Sequence, residues 1–273
     1  MNGVVCRSLR PQKQVLTALL SALGRQLIQF LRYFGETTLL HLGTWRALFT
    51  ARVEYRGTIR QLAEIGVNSL PIAVVTMTFS GMVIGYHMAV QAGKLGVSQV
   101  VGWLVAETMS RELAPVLVAF VVAARAGSAM AAELGSMKVT EQIDALRSMA
   151  TDPVEYLVAP RYVACLVMVP LLTFIGDIVG VSGGYLMALI SPVINQTVYF
   201  SSIPGHLAAW TVMAGIIKAA VFGIIIAVVG CHQGLSARMA SEEVGRATTR
   251  AVVYSIMLIY AANLIMTTML YPS

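Results

Sequence analysis

Charge is the first thing this sequence lacks. Only 12% of its 273 residues are Asp, Glu, Lys or Arg, about half the ~25% of an ordinary soluble domain. With 57% of residues hydrophobic and a mean hydropathy of +0.75, there is too little polar surface to cover a core in water. A disordered chain is excluded by the same shortage, because such chains are polar and charge-rich. Cysteine is also scarce. Cys6, Cys165 and Cys231 lie far apart, so there is no CxxC and no zinc spacing. Cys165 and Cys231 fall in apolar runs, where a cysteine acts as a small buried hydrophobe. The four histidines, His41, His87, His206 and His232, show no ligand spacing. A phosphate-binding GxxxxGK[ST] is missing, since the only Gly-Lys, at 93–94, is followed by Leu95. HExxH and GxSxG are missing too. No catalytic group, metal site or cofactor is therefore expected. Arg7, Arg10 and Lys13 near the start are not followed by an uninterrupted apolar core with a cleavage site, so no cleavable signal peptide is expected.

What the chain has is long apolar runs. A spanning helix needs about 20 mostly apolar residues. Five stretches qualify: Val67 to Ala92, Leu113 to Ala132, Val163 to Ile190, Leu207 to Leu235 and Ala251 to Tyr271. The second, third and fourth each hold one charge, Arg125, Asp177 and Lys218. With flanking turns, the spans are expected at about 67–92, 99–132, 156–190, 207–235 and 250–271. Helices are the expected solution in lipid because each satisfies its own backbone. The fold class is thus an all-α integral membrane protein.

Lys and Arg in the loops set the orientation. Residues 1–64 hold nine, the second loop three (Lys138, Arg147, Arg161) and the fourth three (Arg238, Arg246, Arg250). The first loop holds only Lys94, and the third none. Fifteen on one side against one on the other predicts a cytoplasmic N-terminus and an outer C-terminus. Against Glu36, Glu54 and Glu64, residues 1–64 carry the entire net charge of +6. That basicity is an orientation device and gives no sign of a nucleic-acid partner. Within the segment, Leu16, Leu20, Leu23, Leu27, Leu31 and Phe34 recur at helical spacing with Arg25, Gln29 and Arg32 between them. This predicts a basic amphipathic helix at the membrane interface, bracing the first span, with packing on a partner as the other reading. The chain divides as 1–64, interfacial, and 65–273, membrane domain.

Three features bear on function. Glu107, Arg111 and Glu112 follow the short apolar run Val100 to Ala106. Glu107 and Arg111 suit an intrahelical pair, and ionisable groups at membrane depth usually face a cavity or partner. A quiet pair and a polar site are both open readings, and Pro115 is expected to loosen the helix there. Small residues recur every four positions at Ala119, Ala123, Gly127, Ala131 and Gly135, and again at Gly176, Gly180 and Gly184. Both stripes are read as close helix packing, with a homodimer contact open for one of them. The second cytoplasmic loop encodes a short amphipathic helix. Thr140 is expected to cap it, with Glu141 and Gln142 in its first turn, Val139, Ile143, Leu146 and Ala150 on one face, and Arg147 near its end. Thr151-Asp152-Pro153 is expected to stop it and start the next helix. The element is either an interfacial linker or a surface for a soluble protein.

The segments Arg111-Glu112-Leu113-Ala114-Pro115, Ala124-Arg125-Ala126-Gly127-Ser128-Ala129 and Glu133-Leu134-Gly135-Ser136-Met137-Lys138-Val139-Thr140-Glu141-Gln142-Ile143-Asp144-Ala145-Leu146 resemble the core signature of the MlaE (YrbE) permeases. Asp152-Pro153 and Pro160-Arg161 continue it. Phe79-Ser80-Gly81-Met82-Val83-Ile84-Gly85 resembles the family's FxGMVxG, and Gly245-Arg246-Ala247-Thr248-Thr249-Arg250 its RATTR. The resemblance covers about residues 60 to 270, with Ala114 and Ala124 where the family often has glycine. It implies the permease subunit of an ABC transporter in the cytoplasmic (inner) membrane. That subunit would be a homodimer, paired with two cytoplasmic ATPase subunits and an outer substrate-binding protein of the MCE type. The implied cargo is phospholipid or a related hydrophobic molecule. The resemblance matches Arg111 and Glu112 to charged positions lining the family's lipid cavity, and on that basis the expected lipid path runs through Met82, Tyr86 and Val90 at the acyl chains, Arg111 at the headgroup, and Glu107 and Glu112 beside it. The short helix becomes the coupling helix, with Lys138, Thr140, Glu141, Gln142, Asp144 and Leu146 at the ATPase contact. Two alternatives stand beside this reading. One is an ion-coupled transporter or channel using Asp177 and Lys218; the other is a non-transporting scaffold.

Overall fold

A computed structural model describes residues 9–50, 55–190 and 196–271. Among them every regular element is helical, as an apolar chain must be where no water is present to satisfy a free backbone. Five helices are long and apolar enough to cross a membrane: Tyr55–Leu95, Val101–Val139, Val154–Ile190, Ala209–Leu235 and Ser241–Leu270. In chain order the elements are α1 (Leu9–Thr50), α2 (Tyr55–Leu95), α3 (Val101–Val139), α4 (Gln142–Ser148), α5 (Val154–Ile190), α6 (Gln196–His206), α7 (Ala209–Leu235) and α8 (Ser241–Leu270). The chain forms two compact units, residues 1–43 and residues 44–273. In the first, the α1 side chains Leu31 and Phe34 are exposed, and Arg32 pairs with Glu36 at 2.7 Å one turn on. The predicted apolar positions Leu16, Leu20, Leu23 and Leu27 lie outside the described side chains. Residues 55–64, read from the sequence as part of the interfacial segment, belong to the helix of the first span.

Glycine decides how the second unit packs. A Cβ on Gly81 would collide with the Gly180 backbone, and one on Gly85 would lie 2.9 Å from the Gly184 Cα. These paired glycines bring α2 and α5 into backbone contact, the close approach that small residues allow in lipid. The other stripe is also used within the chain. Gly127 packs on Ile226 of α7, and Gly135 on Val244 of α8 and Ala237.

Two local readings change. Residues 191–206, read as a loop, contain α6, whose Tyr199 is buried with its hydroxyl donating to the Val181 carbonyl at 3.0 Å. The Ser202 hydroxyl, also buried, accepts the Trp103 amide at 3.1 Å. A polar loop gives way to a helix because these two side chains find partners on α5 and α3. Thr140 does not cap α4. Its hydroxyl turns back to the Ser136 carbonyl at 2.9 Å, and its backbone ends α3. The chain turns instead at Glu141, in the left-handed region at φ 60°. Ala150 has left the predicted buried face, exposed at φ 57°. Asp152 begins α5 as expected, its Oδ1 accepting the Val154 amide at 2.9 Å.

Candidate functional site

Among the described residues three π-helical turns occur in the spans: Met109–Leu113 and Ala123–Gly127 in α3, and Val154–Val158 opening α5. Such turns widen the helix, release backbone groups and re-aim side chains, and they are frequent at functional sites. The first explains the loosening expected at Pro115. In an α-helix the carbonyl of Arg111 would accept the amide of residue 115, which proline lacks. Lys218 of α7 supplies a donor instead, its Nζ 3.0 Å from the Arg111 carbonyl. Gly215, one turn earlier on α7, makes room for this approach, since a Cβ there would collide with the Ser110 carbonyl.

Around this turn the fold gathers a polar cluster from three spans. Lys218, 0% exposed, also donates to Glu112 Oε1 at 2.9 Å and to Thr267 Oγ1 at 2.8 Å. Glu112 accepts from Asn263 Nδ2 at 2.9 Å and from the Thr267 hydroxyl at 3.0 Å. A buried ion pair is tolerable only when further hydrogen bonds satisfy its remaining atoms, and this one has them. Glu107 and Arg111 form the predicted i,i+4 pair, loosely, at 3.7 Å. The Arg111 guanidinium lies 3.7 Å from the centre of the Tyr271 ring, a cation–π distance. Of the two cations in this cluster, Lys218 is sealed and Arg111 keeps exposed surface. The arrangement therefore offers one accessible guanidinium, planar and able to hold an anionic oxygen pair bidentately. Its position is held from behind by a saturated ion pair.

Glu107 and Arg111 form the pair that their spacing predicted, while Glu112 turns to Lys218 of α7. Met82, Tyr86 and Val90 share a different face, along α2. Tyr86 and Val90 are exposed and Met82 is half-buried. No hydrogen bond or ion pair among the described residues joins that face to the charged cluster. Sequence reasoning missed Asn263, Thr267 and Tyr271 and gave Lys218 to a rival reading. A signal for Lys218 was present: Glu107 already had Arg111, so Glu112 lacked a cation and the lone lysine of the fourth span lacked an anion.

A second polar site lies at the turn between α3 and α5. Ile143 is buried under α4, while Glu141, Gln142, Asp144, Ala145, Ser148 and Met149 are exposed. Leu146 is half-buried, and its carbonyl accepts the Thr151 amide at 3.0 Å. Asp144 pairs with Arg147 at 3.1 Å. Lys138 reaches the Leu235 carbonyl at the end of α7, where a cation suits the unpaired carbonyls of a helix terminus. A cavity of about 150 Å³ opens beside α4, lined among others by Lys138, Ile143, Arg147 and Leu235. Arg161, buried in α5, pairs with Glu133 of α3 at 2.6 Å and donates to the Leu157 carbonyl at 2.6 Å. This bridge ties the helix before α4 to the helix after it, so α4 is presented on a rigid base. Arg125 in the second π turn makes a similar tie to α2, donating to the Ser69 hydroxyl at 2.7 Å and to the Glu64 carbonyl.

The family described as Permease MlaE matches residues 58–269. A probable ABC transporter permease protein of Synechocystis is 39% identical over 224 residues, covering 82% of this chain and 85% of that protein. Another from Rickettsia felis is 36% identical over 257 residues, covering 94% and 99%. The intermembrane phospholipid transport system permease protein MlaE of Haemophilus influenzae is 31% identical over 253 residues, covering 92% and 97%.

Proposed function

The chain belongs to the MlaE permease family, and on that premise we propose how its two polar sites divide the work of a lipid-transporting ABC permease. The cluster around Arg111 receives the cargo, and α4 receives the force. The observation that carries this reading is the family match, which runs through all five spans and takes in α4 and the charged residues of the first cluster.

The cargo in this reading is a phospholipid. Its anionic headgroup meets Arg111, the accessible cation of the cluster, while Glu107 and Tyr271 limit where the guanidinium points. Its acyl chains lie on the α2 face of Met82, Tyr86 and Val90. Two copies of the chain assemble in the inner membrane, with the N-terminus cytoplasmic and the C-terminus outside, as the Lys and Arg distribution favours. Two ATPase subunits dock on the exposed face of α4, through Lys138, Thr140, Glu141, Gln142, Asp144 and Leu146. A substrate-binding protein of the MCE type covers the opposite face. ATP hydrolysis belongs to the partner subunits. Closure of those subunits pushes α4, and the Arg161–Glu133 bridge passes the push to α3 and α5 together. In this role α1 lies in the membrane interface.

The test is ATP-dependent transfer of labelled phospholipid by the complex reconstituted in vesicles. Transfer that needs ATP and fails without the permease supports the reading. Transfer driven by an ion gradient without any ATPase would overturn it.

A further inference from the structure

Asp177 takes no part in either site. It lies inside α5, about 27 Å of helix from Ala159 and about 20 Å from Ile190 at the helical rise. Its side chain is 5% exposed, and its carboxyl oxygens form no ion pair and no well-aligned hydrogen bond, with only the Ser110 hydroxyl close by. It shares a stripe with Thr173, Gly180 and Gly184. The Thr173 hydroxyl turns back to the Val169 carbonyl at 2.8 Å, and a Cβ on Gly180 would collide with the Met109 side chain. The stripe therefore faces the first π turn, and the polar side chain adjoining Asp177 is Ser110 of that turn.

Among the described residues no cation meets Asp177 from the helices around it. Between Val67 and Ala92, α2 has no Asp, Glu, Lys or Arg, and its Tyr86 and His87 are exposed. Arg111 and Glu107 of α3 pair with each other, and Glu112 with Lys218 of α7. On α6 the Tyr199 hydroxyl donates to the Val181 carbonyl, and His206 meets the Ser202 carbonyl. An ionised carboxylate without a partner is far costlier in such surroundings than the neutral acid.

We propose that Asp177 is a proton-binding site whose occupancy sets the conformation of the π turn Met109–Leu113. With the proton bound, the carboxyl is neutral and the turn packs as described, Met109 against Gly180 and Ser110 beside the acid. Loss of the proton to water leaves a second carboxylate behind a turn that already carries Glu112. The turn must then rearrange to bring donors to that carboxylate, because Ser110 of the turn is the polar side chain beside it. Proton release thus re-aims Arg111. The site depends on the backbone that carries Arg111 and stands whether or not that residue binds a headgroup.

The chain has three aspartates, Asp144, Asp152 and Asp177, and the first two are exposed. The experiment places the permease, labelled with ¹³C-carboxyl aspartate, in phospholipid nanodiscs. Infrared spectra and amide hydrogen exchange are followed from acidic to alkaline pH. An isotope-sensitive carbonyl band of a protonated acid is expected at neutral pH. It should bleach as pH rises, while exchange in the peptide 109–113 increases in step beyond its intrinsic rate. Asp177→Asn should lack both the band and the added exchange. Three results would overturn the proposal: no such band at neutral pH, a band that never titrates, or titration with no change in peptide 109–113. A variant profile identical to the wild type would do the same. If Asp177→Asn does not fold, the labelled wild-type chain decides alone. Lipid transfer is not a readout, so failure here is separate from failure of the transport reading.

Discussion

Lys218 donates to the Arg111 carbonyl at 3.0 Å, the acceptor that Pro115 cannot serve in the α-helical pattern. The same ammonium holds Glu112 at 2.9 Å. One buried lysine thus repairs a broken helix and neutralises the acid beside it.

Removing that lysine should be severe. Lys218→Met leaves Glu112, a third exposed, and the Arg111 carbonyl without their cation, and stability should fall by about 1–3 kcal/mol. The double variant Lys218→Met with Glu112→Gln should recover part of the loss, because it leaves no buried charge unpaired. Thermal unfolding of the purified permease in detergent, arranged as a double-mutant cycle, measures the coupling.

Arg111 should behave in the opposite way. Its guanidinium is partly exposed and its pair with Glu107 is loose, so Arg111→Ala should change stability by less than about 1 kcal/mol. ATP-driven phospholipid transfer should nevertheless be lost, and Arg111→Lys should keep only part of it. Unchanged transfer by Arg111→Ala would remove the headgroup role.

At the turn before α4, backbone and charge can be separated. Glu141 stands at φ 60°, a conformation that costs an L-residue with a side chain about 1–2 kcal/mol. Glu141→Gly should therefore stabilise the chain slightly. Glu141→Lys should leave the fold intact and abolish co-purification of the ATPase subunit. Normal co-purification would argue against α4 as the docking surface.

The α2–α5 contact should reject even one methyl group. Gly81→Ala drives its Cβ into the Gly180 backbone, and the loss should be about 1–3 kcal/mol. Gly245→Ala is the control. Nothing lies within 4 Å of a Cβ there, so the higher helix propensity of alanine should leave stability equal or slightly higher. Unfolding midpoints of the two variants give the comparison.

The spans were legible because length and hydropathy are properties of one helix at a time. The same holds for the Glu107–Arg111 pair, which depends only on helical spacing. The α4 region was half legible. Its amphipathic face with Ile143 buried could be read, but the turn into it could not. Thr140 has the chemistry of a cap, yet its hydroxyl is taken by the Ser136 carbonyl, and Glu141 makes the turn through its backbone.

By itself the sequence determined an all-helical membrane chain of five spans, with a basic first segment and charges at named depths. Those features follow from the cost of exposing a backbone or a charge to lipid, which each stretch bears alone. Only the tertiary structure decided partnership. It joined Glu112 to Lys218, 106 positions apart, and spent both small-residue stripes inside the chain. It also left Asp177 with no cation among the described residues. The physical reason is that an ion pair, a glycine contact or an orphaned carbonyl is settled by what the neighbouring helix presents at the same height, and helical periodicity carries no record of that neighbour.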